Sequence, residues 1–190
     1  MKENFYEEVT IAGFGGQGII LVGKLLAQAA MDGGFETTYM PAYGAEMRGG
    51  TANSMIIISD EPVACPVIDR PSSLIAMNKA SMEKFAPRVK AGGLIILNKS
   101  LIDVPLNDIA DGITVVQLPA DDIALELGNP KVSNMVALGA YLQMLGKLGV
   151  EQAVMSLPKV LSKRYHNTLD INNKALRMGA KFCLENAAGK

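Results

Sequence analysis

The sequence predicts an α/β fold, a mostly parallel sheet with helices on both faces, in a single domain over residues 1–190. Short, fully apolar runs recur along the chain, as they do in strands that are covered on both faces of a parallel sheet. Stretches with apolar residues at helical spacing follow several of these runs. A glycine-rich turn over residues 13–18 joins the first strand to the first helix, which is how doubly wound α/β domains begin.

The first third of the chain predicts three strands and one helix. Residues 17–31 carry apolar side chains at helical spacing, and this helix ends at Gly33 and Gly34, which tolerate a left-handed conformation. Pro41 is expected to stop the second strand. The three strands are predicted over 8–14, 35–40 and 52–59, and a long glycine-rich loop over 41–52 connects the last two.

The rest of the chain predicts three strands and five helices. Short, mainly apolar runs predict buried strands over 74–77, 94–97 and 113–118. Helical spacing predicts helices over 80–89, 120–127, 132–148, 150–161 and 174–187. The helix over 132–148 is apolar on nearly all sides, so we expect it to be buried.

Composition argues against several classes of protein. The formal net charge is -1 and no basic block is present, so nucleic-acid binding is not expected. No uncharged apolar run approaches the ~20 residues that cross a bilayer, so no membrane segment is expected. The polar, acidic residues 1–8 do not resemble a secretory signal, which favours the cytoplasm. Cys65 and Cys183 are too few for a typical iron–sulfur cluster, and we expect both to be buried.

The glycine turn has the spacing of a dinucleotide-binding motif, G-x-G-x-x-G. Main-chain N–H groups at the start of the following helix favour an anion. A nicotinamide site usually has an acid at the end of the second strand, where residues 38–40 offer none, so an NAD-type dehydrogenase is disfavoured. Packing of strand against helix is an alternative use of the glycines. The candidate anion-binding residues are Gly15, Gly16, Gln17 and Gly18.

The loop over 41–52 is the second unusual segment, because long loops in compact domains are usually functional or disordered. In a parallel sheet it lies at the carboxyl edge, the same edge as the glycine turn. Arg48 can hold a phosphate or carboxylate through two parallel hydrogen bonds, or can pair with Glu46 or a partner's acid. The other loop residues are expected to contact a partner or cover the sheet edge: Tyr43, Gly44, Glu46, Met47, Gly49 and Gly50.

Two asparagines follow apolar strands at the same edge. Asn78 comes after the strand over 74–77, and Asn98 comes after the strand over 94–97. An amide at this position can bind a ligand, or it can cap the helix that follows. No general base, nucleophile or carboxylate pair stands out, and His166 is expected at the surface. The sequence therefore names no catalytic residue.

Taken in order, these motifs resemble the gamma subunit of 2-oxoacid:ferredoxin oxidoreductases. The turn within 11–18 and the loop within 43–53 carry the resemblance, and it extends from residue 8 to residue 180. The G-G-Q-G turn alone is weakly specific, but its combination with the Y-G-x-E-x-R-G-G loop is quite specific. Further matches lie at 76–78, 92–98, 119–120 and 129–139.

The resemblance implies a multi-subunit enzyme that decarboxylates a 2-oxoacid oxidatively, forms an acyl-coenzyme A and passes two electrons to ferredoxin. Alpha and beta subunits would hold thiamine diphosphate and Mg²⁺, and beta or a ferredoxin-like delta subunit would hold the iron–sulfur clusters. This chain would carry none of these cofactors and would be inactive alone. It would pack beside the thiamine site and help to receive coenzyme A at Gly15, Gly16, Gln17, Gly18, Arg48, Asn78 and Asn98.

The loop over 45–51 resembles 2-oxoglutarate or branched-chain oxoacid members more than pyruvate members. An aryl oxoacid stays open, because similar domains occur in indolepyruvate oxidoreductases. The alternative from another class is a purely structural module whose loop only docks on a partner subunit. Apolar surface left bare by absent partners would favour a homodimer of the isolated chain.

Overall fold

A single six-stranded sheet lies at the centre of the molecule; the computed structural model describes residues 4–44, 50–103, 109 and 112–187. The strands are β1 (Tyr6–Phe14), β2 (Glu36–Tyr43), β3 (Thr51–Ser59), β4 (Ser73–Ala76), β5 (Leu94–Asn98) and β6 (Thr114–Leu118). Their order is β2-β3-β1-β4-β5-β6. The β1–β4, β4–β5 and β5–β6 pairs are parallel, whereas β3 is antiparallel to both β1 and β2. The predicted α/β class with a mostly parallel sheet is confirmed.

Helices cover both faces of the sheet, as the sequence predicts. The described residues form α1 (Ile19–Asp32), α2 (Lys79–Phe85), α3 (Ala120–Glu126), α4 (Ser133–Leu145), α5 (Val150–Val160) and α6 (Leu169–Ala187). The larger core cluster joins one face of the sheet to α1 and α3–α6, and the smaller one joins the other face to α2. None of the helices in the described part of the chain has the length and apolar character needed to cross a membrane.

β2 extends beyond its predicted end, because Pro41 does not stop it. Pro41 pairs with Ser54, and the ladder continues to Tyr43. β2 lies at the edge of the sheet, where a residue without an N–H group is tolerated. The connection between β2 and β3 therefore shrinks from the predicted 41–52 to residues 44–50. α6 also begins five residues before its predicted start at 174.

The two cysteines lie in different environments. Cys183 is buried, as predicted, and burial raises the pKa of its thiol to about 11. The prediction for Cys65 is wrong, because this residue is exposed. It lies in the irregular connection between β3 and β4, where Val67 is exposed as well and Ile68 is buried. His166 is half-buried, and its Nε2 atom lies 3.0 Å from the carbonyl oxygen of Leu161.

A buried polar cluster joins β1 to α4. Glu7 points into the larger core and is only 8% exposed. Its Oε1 atom accepts hydrogen bonds from the Ser73 hydroxyl and, at 3.2 Å, from the Tyr141 hydroxyl. Burial and the negative charge of Glu7 raise the pKa of Tyr141 well above its ordinary value. The phenol therefore stays protonated at neutral pH and serves as a donor.

Replacing Tyr141 by phenylalanine should lower the free energy of unfolding by about 1.5 kcal/mol, because a buried hydrogen bond to a charged group is lost. Urea titration measures the change. Tyr39→Phe is the matched control: the Tyr39 hydroxyl donates to the neutral carbonyl oxygen of Ile20 at 3.0 Å, and its loss should cost about 1 kcal/mol or less. Equal losses for the two variants would contradict a special contribution from Glu7.

Candidate functional site

The carboxyl ends of five strands meet at one edge of the sheet, here called the carboxyl rim. β1 ends there at Phe14, and β3 begins beside it, since Thr51 pairs with Phe14. The N–H group of Gly15 donates to the carbonyl oxygen of Gly50 at 2.8 Å. Because β1 includes Gly13 and Phe14, the glycine turn consists of residues 15–18 in the structure. This turn and the connection over 44–50 therefore leave the sheet on the same side.

The central part of that connection lies outside the described residues. It contains Glu46, Met47, Arg48 and Gly49, whose predicted roles stay predictions. Its two flanks are held at the rim: the Gly44 N–H donates to the carbonyl oxygen of Thr51 at 2.6 Å, and Gly50 bonds to Gly15. Tyr43, which is 71% exposed, is available to a partner.

The glycine turn requires glycine at two positions. Gly16 and Gly18 have φ angles of 99° and 72°, in the left-handed region that favours glycine. A Cβ atom at Gly18 would also lie 2.1 Å from Nδ2 of Asn134. Gly18 precedes α1, and no side chain among the described residues caps this helix start. The first N–H groups of α1 are thus available to an anion.

The side chain of Gln17 is hydrogen-bonded within the protein. Its Oε1 atom accepts from the Phe14 N–H at 2.7 Å and from Nδ2 of Asn78 at 3.2 Å. Its Nε2 atom donates to the carbonyl oxygen of Met77 at 3.1 Å. These bonds tie the turn to the ends of β1 and β4.

Asn78 and Asn98 both bond to the starts of helices, which is the alternative that the sequence left open. Oδ1 of Asn78 accepts from the Ser81 N–H at 2.8 Å, and Oδ1 of Asn98 accepts from the Ala120 N–H at 3.2 Å. The two residues are 4% and 1% exposed. Nδ2 of Asn98 has no hydrogen-bond partner among the described residues.

A cleft of about 380 Å³ opens between the glycine turn and the starts of α3 and α4. Lys131 and Ser133 supply donors to it, Asp121 and Asp122 supply acceptors, and Leu125 is apolar. Oδ1 of Asn129 accepts from the Lys131 N–H at 3.1 Å and so fixes the backbone here. Sequence reasoning missed Lys131, because a single lysine before a buried helix carries no motif. The cleft is lined by Gly16, Gln17, Asp121, Asp122, Leu125, Pro130, Lys131 and Ser133.

The lining of the cleft carries groups of both charges. The free N–H groups of the turn and the Lys131 ammonium favour an anion. In the same cleft, Asp122 accepts a hydrogen bond from the Ser100 hydroxyl at 2.9 Å, and Asp121 lies in the first turn of α3. Carboxylates accept hydrogen bonds from N–H groups. The cleft therefore suits a ligand that carries both an anionic group and N–H donors.

Two solved structures share this fold over nearly the whole chain. The gamma subunit of a keto/oxoacid ferredoxin oxidoreductase from Geobacter sulfurreducens is 27% identical, with a TM-score of 0.78 and coverage of 94% of this chain and 99% of that one. The 2-oxoglutarate:ferredoxin oxidoreductase from Magnetococcus marinus, with 2-oxoglutarate, coenzyme A and succinyl-CoA bound, is 26% identical, with a TM-score of 0.84. In that pair, 95% of this chain matches 31% of the other.

Sequence comparison leads to the same group. The ketoisovalerate oxidoreductase subunit VorA from Methanothermobacter marburgensis is 36% identical over 183 residues, which are 96% of this chain. The chain spans only 37% of the length of that relative. The family model described as pyruvate ferredoxin/flavodoxin oxidoreductase matches residues 8–182. This chain belongs to that family of oxidoreductases.

Proposed function

We propose that this chain is the gamma subunit of a 2-oxoacid:ferredoxin oxidoreductase, and that it receives coenzyme A at the carboxyl rim beside the thiamine site of a partner. The cleft between the glycine turn and Lys131 is the observation that carries the proposal. One structure with this fold, from Magnetococcus marinus, has coenzyme A bound.

The chemistry of coenzyme A suits the lining of the cleft. Its phosphates need N–H donors and a cation, which the N–H groups of Gly16 and Gly18 and the Lys131 side chain can supply. Its amide and amino groups need acceptors, which Asp121 and Asp122 can supply. Leu125, at 66% exposed, offers apolar surface beside them. Arg48 is the second proposed cation.

The reactive cofactors are proposed to belong to partner subunits. The chain has two cysteines in all, whereas cubane clusters are usually held by four thiolates. We propose that alpha and beta subunits hold thiamine diphosphate and Mg²⁺, and that beta or a ferredoxin-like delta subunit holds the clusters. The relatives named above act on ketoisovalerate and on 2-oxoglutarate, which supports a branched-chain or dicarboxylic 2-oxoacid as the substrate here.

Replacing Lys131 by alanine should raise the KM for coenzyme A about 10-fold in the enzyme assembled with its partner subunits, because one charge-assisted hydrogen bond to a phosphate is lost. Ferredoxin reduction dependent on the 2-oxoacid measures the change. The KM for the 2-oxoacid should stay constant, because thiamine chemistry occurs in other subunits.

Lys24→Ala is the matched control for this experiment, because Lys24 is an exposed lysine on α1 that lines no part of the cleft. Lys131→Arg should retain most of the affinity, since it keeps the charge. An unchanged KM for coenzyme A in Lys131→Ala, with the complex intact, would remove the support for this cleft as the binding site.

A structural docking module is the second candidate function. Tyr43 and Met40 at the β2 edge are exposed at 71% and 40%, and exposed apolar side chains at a sheet edge suit a partner surface. If docking were the whole function, variants at the rim would weaken assembly and leave the KM for coenzyme A unchanged. Size-exclusion chromatography of the chain with and without its partners separates these outcomes and also detects a homodimer.

A further inference from the structure

We infer that Gln17 and Asn78 are positioning residues: their side chains hold the glycine turn in its ligand-binding conformation, and the ligand bonds to the main chain of the turn. The inference rests on the proposed binding of coenzyme A at this turn. The sequence analysis named both residues among the candidate ligand-binding residues and left open that the Asn78 amide caps a helix instead.

Main-chain groups fix the orientation of the Gln17 amide. The Phe14 N–H needs an acceptor, which is Oε1 at 2.7 Å, and the Met77 carbonyl oxygen needs a donor, which is Nε2 at 3.1 Å. Rotating the amide by half a turn would oppose donor to donor and acceptor to acceptor at these two contacts. Gln17 therefore presents an oxygen, and only an oxygen, to Asn78.

The orientation of Asn78 is fixed in the same way. Its Oδ1 atom accepts from the Ser81 N–H at 2.8 Å at the start of α2, so Nδ2 is directed to Oε1 of Gln17 at 3.2 Å. Asn78 is 4% exposed, which leaves almost none of its surface for a ligand. The two amides thus form one chain of hydrogen bonds from α2 through Gln17 to the glycine turn.

Gly13 provides the space for the Gln17 side chain. A Cβ atom at this position would lie 2.7 Å from Oε1 of Gln17 and 2.7 Å from Cδ1 of Ile19. Gly13 is not among the described glycines with a positive φ, so close approach, not backbone conformation, requires glycine here. The first glycine of the motif thereby accommodates the positioning side chain.

The remaining donors of the turn are directed to no other described residue. The N–H groups of Gly15 and Gln17 bond to the carbonyl oxygens of Gly50 and Phe14. Within the described part of the chain, those of Gly16 and Gly18 have no acceptor. The network thus uses one set of N–H groups to hold the turn and leaves the other set for an anion.

Three variants of the assembled enzyme test the inference. Gln17→Ala removes the whole network at the turn. Asn78→Ser keeps a side-chain acceptor for the start of α2, because serine is as good a cap as asparagine, but it is too short to reach Gln17. The double variant carries both changes. Gln28→Ala is the matched control, since Gln28 lies further along α1 and bonds to Asp32.

Each single variant should raise the KM for coenzyme A about 2- to 10-fold, the range expected for one neutral hydrogen bond. The kcat and the KM for the 2-oxoacid should change by less than about twofold, which is less than the loss of one hydrogen bond would cause. The double variant should have no higher KM than Gln17→Ala, because both changes act through one contact. In Gln17→Ala without coenzyme A, the Phe14 amide should exchange its hydrogen faster.

Several outcomes would overturn the inference. Additive effects in the double variant would mean that Asn78 and Gln17 contact the ligand separately. Lower thermal stability with an unchanged KM would mean that the network serves folding alone. Lys131→Ala distinguishes these failures from failure of the proposed function: if it raises the KM and Gln17→Ala does not, only the positioning role is wrong. If neither variant changes the KM, coenzyme A does not bind at this turn.

Discussion

Replacing Arg48 by alanine should raise the KM for coenzyme A of the assembled enzyme about 10- to 150-fold, because hydrogen bonds from a guanidinium to a phosphate contribute about 1.5–3 kcal/mol. Arg48 lies in the segment 45–49 outside the described residues, so its role rests on the sequence. The structure adds that both flanks of this segment are bonded at the rim, through Gly44 to Thr51 and through Gly50 to Gly15.

Arg88→Ala is the matched control for the charge change, because Arg88 forms an exposed ion pair with Asp69 in a different part of the chain. Arg48→Lys should restore part of the affinity, since an ammonium keeps the charge but cannot make two parallel hydrogen bonds. Weaker subunit assembly with an unchanged KM would favour the docking module. Steady-state kinetics measures the KM for coenzyme A, and size-exclusion chromatography of the same preparation measures subunit assembly.

Local patterns in the sequence predict most of the fold. Apolar runs locate every described strand except β2, whose residues Glu36–Tyr43 are half-buried or exposed. Helical spacing locates every α-helix of the described residues, because the spacing reflects burial of one helix face. The antiparallel direction of β3 could not be predicted in this way, because an apolar run such as Ile56–Ile58 is equally typical of a parallel and an antiparallel strand. The sequence does not predict the end of β2 either. Pro41 is compatible with this strand only because β2 lies at the edge of the sheet, and the position of a strand is a property of the whole sheet.

The candidate site is predicted in part for a similar reason. The glycine turn and the flanks of the 44–50 connection share the carboxyl rim, as strand order and direction require. Lys131 and the glycine turn line the same cleft because the tertiary fold places the start of α4 beside that turn, and no local pattern encodes this approach. The pairing of Gln17 with Asn78 joins residues 61 positions apart in the chain, so it too depends on tertiary structure.

Replacing Gly139 by alanine should lower the free energy of unfolding by about 3 kcal/mol, because it overpacks a helix crossing in the core. A Cβ atom at Gly139 on α4 would lie 1.9 Å from the carbonyl oxygen of Leu176 on α6. Helix propensity alone predicts the opposite sign, since alanine is favoured over glycine inside a helix by about 1 kcal/mol. Urea titration therefore distinguishes overpacking from helix propensity, because the first lowers the free energy of unfolding and the second raises it.

Separating α4 from α6 to admit a methyl group at Gly139 is energetically unfavourable. α4 contacts β4, β5, α1, α3 and α5 as well as α6, so room for a methyl group must come from separation of α4 and α6. That movement would expose Ala175 and Leu176, which are both fully buried. Gly149→Ala is the matched control, because a Cβ atom there meets nothing within 4 Å and φ is -71°. The entropic gain from alanine and its poorer capping at the start of α5 oppose each other, so the effect should be within about 1 kcal/mol of zero.

A substitution at Gly179 tests whether the close approach of α4 and α6 causes the loss of stability in Gly139→Ala. A Cβ atom at Gly179 on α6 would lie 1.9 Å from the carbonyl oxygen of Val136 on α4, so each glycine faces the main chain of the opposite helix. Gly179→Ala alone should cost about as much as Gly139→Ala. Once the helices have separated to admit one methyl group, the second needs little further movement, so the double variant should lose less than the sum. Fully additive losses would mean that the two positions disturb the core independently and that the close crossing is not the cause.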